Sequence, residues 1–411
     1  MALPMSVVLT SRSSMACRWG RRMAREYRRA KSPGVACHRV DVSFESAVKP
    51  LMRCRSKEAP MPNQSTLWRS GQDGYHTYRI PALVTTTAGT VLAFCEGRRD
   101  SRHDHGDINL LVRRSEDNGE SWSEPRVAVA GGGETAGNPA PVVDRTTGRV
   151  WLPFVRNDPL GTLERVLRRE SWRRPYMTFS DDDGRTWADP IDVKAQVMDP
   201  AWTWYAFGPG HSIQLASGRL LIPCDHTPRS GRSRAEVPMR SHVVYSDDSG
   251  ATWHIGAAAA DGTDESIAVE LDDGTLYLNC RNELDTKRRV ATRSSDGGQT
   301  FGPSEIDEAL IEPRCQGSAL RLDRAPGGAS WVVFSNPAST VRERMTVRYS
   351  ADRARTWSTG RVLHPGPSAY SDLCRLPDGR LGCLYEAGDD APYERLTWAQ
   401  FDPVWLTEPD A

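Results

Sequence analysis

Short apolar runs bounded by turn residues make up most of the chain downstream of residue 60. Three examples, residues 219–224, 275–280 and 345–349, read Arg-Leu-Leu-Ile-Pro-Cys, Thr-Leu-Tyr-Leu-Asn-Cys and Met-Thr-Val-Arg-Tyr. Such runs favour strands, and no long segment carries apolar residues at the 3.6-residue period of a helix. The pattern predicts an all-β protein assembled from many short strands.

An octapeptide of the form Ser-x-Asp-x-Gly-x-(Ser/Thr)-(Trp/Phe) recurs between these runs. Its Asp and Ser side chains can bond to nearby backbone groups and its Gly accepts a positive φ, so the segment suits a turn between two strands. The final aromatic ring anchors the turn in apolar packing. Four intact copies, and a fifth in which Ala354 replaces the glycine, occupy residues 115–122, 180–187, 246–253, 294–301 and 350–357. Such a repeat indicates a repeated supersecondary unit.

A second series of turns, each with a glycine between two apolar runs, alternates with the octapeptides. Its members are Gly89, Gly148, Gly218, Gly274 and Gly379, with a looser Pro-Gly-Gly at Gly327. An octapeptide follows each of the first five turns along the chain, so one unit contains two hairpins and hence four strands. Six units predict a six-bladed β-propeller of four-stranded antiparallel blades.

Net charge separates the first 60 residues from the rest. Residues 1–60 hold 13 Lys and Arg against 4 Asp and Glu, which leaves 40 against 49 in residues 61–411. We therefore divide the chain into a basic leader, residues 1–60, and a propeller domain, residues 61–411.

The leader lacks the continuous apolar core of a Sec signal peptide. We expect it to be disordered, or to be an over-extended reading frame with Met61 as the true start; a basic nucleic-acid-binding arm and a transit peptide are the alternatives. No run of eighteen apolar residues occurs, so no integral membrane segment is expected. These features favour a cytoplasmic protein, and we expect no nucleic-acid partner for the acidic domain.

Nine cysteines form no Cys-x-x-Cys pair or other zinc-binding spacing. Cys224, Cys280 and Cys383 fall in apolar runs and are expected to be free and buried. The odd count, outside any framework, argues against a disulfide-built secreted protein.

Candidate chemistry follows from the spacing of the glycine turns. If Gly89, Gly274 and Gly379 join the first two strands of their blades, residues nine or ten positions before and seven to nine after them lie at the far end of those strands. These positions hold Arg79, Glu265, Tyr370, Arg98, Arg281 and Glu386. Arginines and other polar groups gathered around one axis suggest a site for an anionic ligand, with a ring of salt bridges that closes the channel as the alternative.

Several stretches resemble the sequences of bacterial sialidases. Residues 78–83, Tyr-Arg-Ile-Pro-Ala-Leu, are similar to the Arg-Ile-Pro motif of that family, and the octapeptides resemble its Asp boxes. The resemblance spans about residues 65 to 405 and includes the stretches 96–99, 208–211, 335–339 and 384–386, with Glu265 and Arg281. It implies a glycoside hydrolase, an exo-α-sialidase (neuraminidase), whose partners are sialylated glycans, glycoproteins or glycolipids.

The resemblance also implies roles for the arginines. Arg79, Arg281 and Arg342 would form a triad that binds the sugar carboxylate, a task for which bidentate guanidinium groups are suited. Arg344 lies close to Arg342 in the sequence and is the other candidate for that position. Arg98 resembles the arginine that meets the O4 region of the sugar.

Two further features of the sequence are similar to family elements. Glu386 resembles a glutamate that hydrogen-bonds Arg79 and holds it in position. The aromatic stretch 202–205, Trp-Thr-Trp-Tyr, is expected either to line the glycerol or aglycone side of the site or to pack structurally.

The implied nucleophile is Tyr370, with Glu265 as the base that accepts its proton. Sialic acid carries a carboxylate on its anomeric carbon, so an attacking Asp or Glu would suffer a repulsion on the order of 4 kcal/mol at about 4 Å and an effective dielectric constant near 20. A neutral tyrosine avoids this repulsion but needs a base, because the pKa of a phenol is about 10. A glycosyl-tyrosine intermediate and retention of configuration should follow.

The implied general acid and base is Asp104, in the loop that follows Arg98, with Asp107 as the alternative. The same loop contains His103-Asp104-His105, which resembles part of a metal site but lacks third and fourth ligands at a recognisable spacing. We therefore expect metal-independent activity and no cofactor.

Other functions fit part of this pattern. A non-catalytic sialic-acid-binding propeller needs the arginines but not Tyr370, Glu265 and Asp104. A glycosidase for a related 2-keto acid sugar, such as deaminated neuraminic acid, or a transferase of that sugar would use the same residues, so both remain open from the sequence.

Overall fold

The computed structural model describes residues 62–408, and most of their regular structure is β-strand. The prediction of an all-β protein is confirmed. The leader, residues 1–60, lies outside the described residues, so the expectations for it remain predictions. Two short α-helices, α1 and α2, and one 3₁₀ helix occur in the described part, at Leu163–Leu167, Lys194–Val197 and Pro403–Thr407. No helix within residues 62–408 has the length and apolar character needed to span a bilayer.

The strands are short, as the sequence predicts. In chain order they are β1 Asn63–Arg69, β2 Thr77–Thr85, β3 Val91–Arg98, β4 Ile108–Ser115, β5 Arg126–Val129, β6 Thr135–Gly137, β7 Val142–Val143, β8 Val150–Asn157, β9 Arg173–Ser180, β10 Ile191–Asp192, β11 Tyr205–Phe207, β12 Ile213–Gln214, β13 Leu220–His226, β14 Arg240–Ser246, β15 His254–Ala258, β16 Thr263–Glu270, β17 Leu276–Asn282, β18 Arg288–Ser294, β19 Glu305–Ile311, β20 Ser318–Leu322, β21 Trp331–Pro337, β22 Glu343–Ser350, β23 Arg361–Arg375, β24 Leu381–Ala387 and β25 Arg395–Phe401.

These strands form four sheets in which neighbours are almost always antiparallel. A nine-stranded sheet has the order β10-β9-β8-β6-β4-β3-β2, with β5 beside β4 and β7 beside β8. A five-stranded sheet is ordered β11-β13-β14-β15, with β12 beside β13, and a four-stranded sheet β16-β17-β18-β19. The last sheet is seven-stranded, β1-β25-β24-β23-β22-β21-β20. Strands β4 and β6 are parallel and share the single pair Ile108 and Thr135.

The two series of turns alternate along these strands. Each glycine turn joins two consecutive antiparallel strands: β2 to β3, β7 to β8, β12 to β13, β16 to β17, β20 to β21 and β23 to β24. All six glycines have a positive φ, between 81° and 95°. The octapeptides begin at the last residues of β4, β9, β14, β18 and β22. Hairpins therefore occur where the repeats predict them.

Hydrogen bonds inside the octapeptide explain its sequence. Ser246 Oγ accepts a bond from the Gly250 backbone N–H at 2.8 Å and donates to Asp248 Oδ1 at 2.8 Å. Asp248 in turn accepts bonds from the hydroxyl and the backbone N–H of Thr252, which lower the pKa of Asp248 to about 2. The altered fifth copy keeps this geometry, with Ala354 at a φ of 57°.

The aromatic rings at the ends of two octapeptides pack against strands of another sheet. Trp122 meets Trp398 of β25 edge-on at 5.1 Å between ring centroids, and Trp253 meets Trp151 of β8 at 5.8 Å. In these two copies, one octapeptide therefore both forms a turn and contributes a ring to the packing between two sheets.

A buried carboxylate, that of Asp372 in β23, ties several inner segments together. Its Oδ2 accepts the backbone N–H groups of Leu83 in β2 and of His211, at 2.7 and 2.9 Å. Its Oδ1 accepts the Ser318 hydroxyl of β20 at 2.6 Å and lies 2.7 Å from Nδ1 of His211. One side chain thus links strands of two sheets and the segment between β11 and β12.

The first and last strands of the described chain pair with each other. β1 runs antiparallel to β25, from Asn63 opposite Gln400 to Arg69 opposite Arg395. The Tyr385 hydroxyl of β24 adds a hydrogen bond to the Gln64 side chain at 2.7 Å.

The cysteines within residues 62–408 are free and buried, which includes Cys224, Cys280 and Cys383 as expected.

We predict that Gly119→Ala lowers stability more than Gly379→Ala. Both glycines have a positive φ, 85° and 91°, so both variants carry the cost of a left-handed alanine, about 1–2 kcal/mol. A Cβ atom at Gly119 would lie 2.5 Å from the Trp398 ring, whereas a Cβ atom at Gly379 has no neighbour within 4 Å. Overpacking should add about 1–3 kcal/mol at Gly119. Urea unfolding measures the difference, and equal losses in the two variants would contradict the prediction.

The His211–Asp372 pair should make stability depend on pH. Burial opposes protonation of the ring, but the charge and hydrogen bond of Asp372 outweigh it and raise the pKa of His211 above its ordinary value. Such a pair stabilises the fold below the unfolded-state pKa, about 6.5, and loses that contribution as the pH rises through the folded-state pKa. The free energy of unfolding lost in His211→Gln should therefore be larger at about pH 6 than at about pH 9 in urea titrations. A loss that grows with pH is the contrary result.

Candidate active site

A cavity of about 670 Å³ opens at the ends of the strands that lie opposite the glycine turns. Seven of the eight residues chosen from the sequence line it: Arg79, Arg98, Asp104, Glu265, Arg281, Arg342 and Tyr370. The eighth, Glu386, lies buried directly behind Arg79. Residues that are up to 307 positions apart along the chain are therefore brought to one place.

Irregularities in three inner strands aim side chains into the cavity. The register shifts between Arg79 and Ala82 in β2, between Thr263 and Ser266 in β16, and between Ser368 and Ser371 in β23. Each shift contains or adjoins a candidate residue, namely Arg79, Glu265 or Tyr370. β-bulges of this kind re-orient side chains next to functional sites.

Tyr370 and Glu265 are in direct hydrogen-bond contact within the cavity. The tyrosine hydroxyl lies 2.6 and 2.7 Å from the two carboxylate oxygens of Glu265, to which it donates. Arg281 Nη1 donates to both partners, at 2.8 Å to Glu265 and 3.0 Å to the Tyr370 oxygen. A phenol that is hydrogen-bonded to a carboxylate is prepared to lose its proton to it.

Burial and the charge of Glu265 raise the pKa of Tyr370 well above its ordinary value, although Arg281, Arg342 and Arg79 act in the opposite direction. The tyrosine is therefore neutral in the ligand-free site. Any reaction in which its oxygen attacks must transfer the proton, and Glu265 is the acceptor in contact.

Glu386 fixes Arg79 from behind. Its Oε1 accepts Arg79 Nε at 3.0 Å and the Ile80 backbone N–H at 2.9 Å, while its Oε2 accepts Arg79 Nη2 at 3.3 Å and the Tyr370 backbone N–H at 3.0 Å. Ile80 has a left-handed φ of 59°, which points this backbone N–H at the carboxylate. The same glutamate thus positions an arginine and the backbone of Tyr370.

Arg342 approaches the cavity from the segment before β22. Its guanidinium group lies 5.5 Å from the centroid of the Tyr370 ring and donates to the Tyr393 hydroxyl and to the Arg314 carbonyl, at 2.5 and 3.1 Å. The neighbouring Arg344 is exposed and does not line the cavity. Of the two candidates, Arg342 is the one with access to a ligand.

Asp104 lies over the cavity on the β3–β4 loop. Its Oδ1 accepts Arg79 Nη1 at 3.3 Å and lies 2.7 Å from Arg98 Nη2, yet its side chain is 71% exposed. The alternative residue, Asp107, pairs with Arg99 at 3.2 Å and does not line the cavity. Arg98 is buried and donates twice to Glu96, at 2.9 and 2.6 Å.

The histidines beside Asp104 stack on each other, with ring centroids 5.4 Å apart. Within residues 62–408, no group of three or more His, Cys, Asp or Glu side chains has the arrangement to hold a metal ion.

Arg281 is also held by acidic residues at the ends of β16 and β17. Asp264 lies 3.4 Å from its Nε, and Glu283 lies 3.0 Å from its Nη2. Arg234, from the loop between β13 and β14, bridges the same two carboxylates at 3.1 and 2.9 Å. Two cations and two anions thus form one network beside Glu265.

The remaining wall of the cavity contains polar residues that the sequence analysis did not select. Arg173 Nη2 donates to Asn138 Oδ1 at 2.6 Å, and its guanidinium group lies 4.2 Å from the Trp204 ring centroid. The Trp204 indole N–H donates to the buried Asp225 at 3.0 Å. In the aromatic stretch 202–205, Trp204 therefore lines the cavity, whereas Trp202 packs structurally, stacked at 3.7 Å on the ring of His226.

Two of these residues could have been found by the same count from the other glycine turns. Asn138 lies ten positions before Gly148, and Asp225 lies seven after Gly218. Arg173 is the first residue of β9, and Arg234 lies in the loop between β13 and β14. Counting from the glycine turns does not reach either position.

Comparisons with known proteins identify relatives of this chain. The chain matches the family model of the BNR repeat-like domain over residues 89–383. A sialidase of Micromonospora viridifaciens is 34% identical over 365 residues, which cover 84% of this chain and 55% of that protein. An exo-alpha-sialidase of Aspergillus fumigatus is 33% identical over 370 residues, or 81% of this chain and 86% of that protein. The chain thus spans about half the length of the first relative and most of the second.

Comparison with solved structures also identifies a sialidase. The Hadza microbial sialidase Hz136 superposes with a TM-score of 0.75 and is 28% identical, with 84% of this chain and 69% of that chain covered.

We predict that Glu386→Gln destabilises the fold strongly. The amide keeps one acceptor oxygen for four donors, and its NH₂ group would face two of them, so breaking this buried ion pair should cost about 3–5 kcal/mol. Glu308→Gln is the matched control, because that side chain is 81% exposed and its pair with Arg288 should contribute less than about 1 kcal/mol. Urea unfolding compares the two variants, and similar small losses in both would count against the role assigned to Glu386.

Proposed function

Because the chain belongs to the sialidase family, we propose that it is an exo-α-sialidase, a glycoside hydrolase that removes terminal α-linked sialic acids from glycans, glycoproteins or glycolipids. The proposed mechanism retains the configuration of the sugar and passes through a tyrosyl-enzyme intermediate. The observation that carries the proposal is the contact of the Tyr370 hydroxyl with Glu265 at 2.6 Å, beside three arginines that face one cavity.

The arginines account for binding of the substrate. Arg79, Arg281 and Arg342 surround the Tyr370 ring and hydroxyl, at 4.9 Å and 5.5 Å from the ring centroid for Arg79 and Arg342 and at 3.0 Å from the hydroxyl for Arg281. A carboxylate held by these groups places the anomeric carbon, to which it is attached, next to the tyrosine oxygen. Guanidinium groups stay charged and bind carboxylates with defined geometry.

In the first step, the Tyr370 oxygen forms a bond to the anomeric carbon while its proton passes to Glu265. The bond from the anomeric carbon to the glycosidic oxygen breaks, and Asp104 gives that oxygen a proton. In the second step, Asp104 takes a proton from a water molecule whose oxygen attacks the same carbon, and Tyr370 leaves with the proton held by Glu265. Two inversions give net retention.

The Tyr370–Glu265 pair favours hydrolysis over simple binding. A receptor for a carboxylate requires arginines, whereas a neutral phenol hydrogen-bonded to a carboxylate within the cavity adds nothing to recognition of an anion. Both side chains are largely buried. The Glu265 carboxylate repels a negative ligand, and the Tyr370 hydroxyl already donates its hydrogen bond to Glu265, so neither group attracts an anion unless the phenol reacts.

We also interpret the four sheets as six four-stranded antiparallel blades within the domain that begins at residue 61. The grouping is supported by β23, whose first half pairs with β22 and whose second half pairs with β24. The nine-stranded sheet divides in the same way at the single parallel pair between β4 and β6. β1 then supplies the fourth strand of the last blade, beside β25.

We predict that a fluorogenic N-acetylneuraminide is hydrolysed by the wild type and that Tyr370→Phe loses at least about a thousandfold in kcat/KM, because the nucleophile is removed. Asp104→Ala should lose about 10²–10⁴-fold on sialosides with poor leaving groups, which depend most on proton donation. The first product detected by NMR should be the α-anomer.

The matched control is Tyr349→Phe, since Tyr349 stacks on Trp331 at 3.9 Å and does not line the cavity. Its activity should equal that of the wild type. If Tyr370→Phe is as active as the wild type, Tyr370 is not the nucleophile. If the wild type binds the sialoside but releases no fluorophore, the protein is a sialic-acid-binding receptor and not an enzyme.

A further inference from the structure

One nitrogen of the Arg79 guanidinium group makes no hydrogen bond to Glu386. Nε and Nη2 are engaged by Glu386 at 3.0 and 3.3 Å. Two aromatic rings lie near the guanidinium group, Tyr393 at 4.3 Å and Tyr370 at 4.9 Å from the ring centroids. The remaining nitrogen, Nη1, donates to Asp104 Oδ1 at 3.3 Å. In the ligand-free site, the proposed acid catalyst is therefore bonded to the nitrogen of Arg79 that a sugar carboxylate would also contact.

The two partners differ in how firmly they are held. Arg79 and Arg98 are buried and anchored by Glu386 and Glu96. Asp104 belongs to a loop whose side chains at 99, 100 and 102–104 are exposed, and its own carboxylate is 71% exposed. A competing carboxylate would therefore move Asp104 and leave the arginines in place.

We infer that the substrate carboxylate displaces Asp104 from Arg79, and that this exchange converts Asp104 from the counter-ion of the empty site into the proton donor of the reaction. The inference rests on the proposed function. Asp104 takes one proton from solvent as it leaves Arg79, and it later gives that proton to the glycosidic oxygen. The number of anions on Arg79 stays the same, because one carboxylate replaces another.

The charges around Asp104 explain why the exchange is needed. Reduced solvation acts to raise the pKa of Asp104, but the charges of Arg98 and Arg79 outweigh it and hold the value well below the ordinary range. Arg173 acts in the same direction from β9, and His103 and His105 flank the carboxylate in its loop. A carboxylate in this state cannot donate a proton. A bound sugar carboxylate neutralises Arg79 and adds a like charge nearby, and both changes favour protonation.

The exchange also makes catalysis specific for sugars that carry a carboxylate. A glycoside without a carboxylate leaves Asp104 on Arg79, still ionised. Even if such a sugar enters the cavity, no acid is available to protonate its leaving group. Recognition of the carboxylate and supply of the proton are thus coupled through one guanidinium nitrogen.

The experiment that tests this coupling counts protons taken up on binding. The probe is the 2,3-dehydro derivative of N-acetylneuraminic acid, which has the carboxylate but no leaving group. Titration calorimetry at about pH 6 in buffers of different ionisation enthalpy should show the wild type taking up close to one proton. Asp104→Asn should bind the probe with markedly smaller uptake. The measurement involves no turnover, so it is independent of the chemical step.

Two comparisons complete the design. Asp107→Asn, in the same loop but paired with Arg99, should take up as many protons as the wild type. The uncharged methyl ester of the probe should cause no uptake in any variant. Equal uptake by the wild type and Asp104→Asn would overturn the coupling while leaving the proposed function intact. Failure of the wild type to bind the probe would remove the proposed function and the coupling together.

Discussion

The buried carboxylate of Asp372 is the contact on which the rest of the site depends. It binds backbone or side-chain groups of Leu83 in the nine-stranded sheet, of Ser318 in the seven-stranded sheet, and of His211 between β11 and β12. A buried charge is tolerated only when its hydrogen-bonding capacity is filled, so these segments cannot separate without exposing it. Tyr370 lies two residues away on the same strand. Together with the bond from the Tyr370 backbone to Glu386, this interaction fixes the segment that carries the tyrosine.

The arginines of the cavity are already paired with carboxylates before a ligand binds. Glu386 holds Arg79, Glu96 holds Arg98, and Glu265 with Asp264 holds Arg281. Donors fixed in this way need little reorganisation when a charged ligand arrives, which is the main electrostatic advantage of a folded site over water. The same pairing limits what a ligand can reach, because most guanidinium nitrogens are already engaged.

Regular spacing explains what the sequence could predict. The positions of the turns and of six site residues follow from glycines and octapeptides, because strands of fixed length carry a residue from a turn to the opposite end of its sheet. The bulges that aim Arg79, Glu265 and Tyr370 do not follow from this spacing. Of the three, only the bulge in β2 has a sequence signal, which is Pro81. Arg234 lies in the loop between β13 and β14, and neither repeat determines the length of that loop, so its position could not be predicted from the spacing. The ionised state of Asp104 depends on arginines from three strands, so it becomes visible only in three dimensions.

The pairing of β1 with β25 also determines when the site comes into existence. Arg79 is held by a glutamate 307 residues further along the chain, and the strand that closes the sheet beyond that glutamate is the last one. During synthesis, the first sheets emerge and fold long before their final partners exist. Contacts over such sequence distances form slowly, and unpaired inner edges meanwhile remain exposed to other chains. The arginine of β2 therefore gains its glutamate partner only after β24 has been synthesised, and β1 gains its partner strand only after β25 has been synthesised.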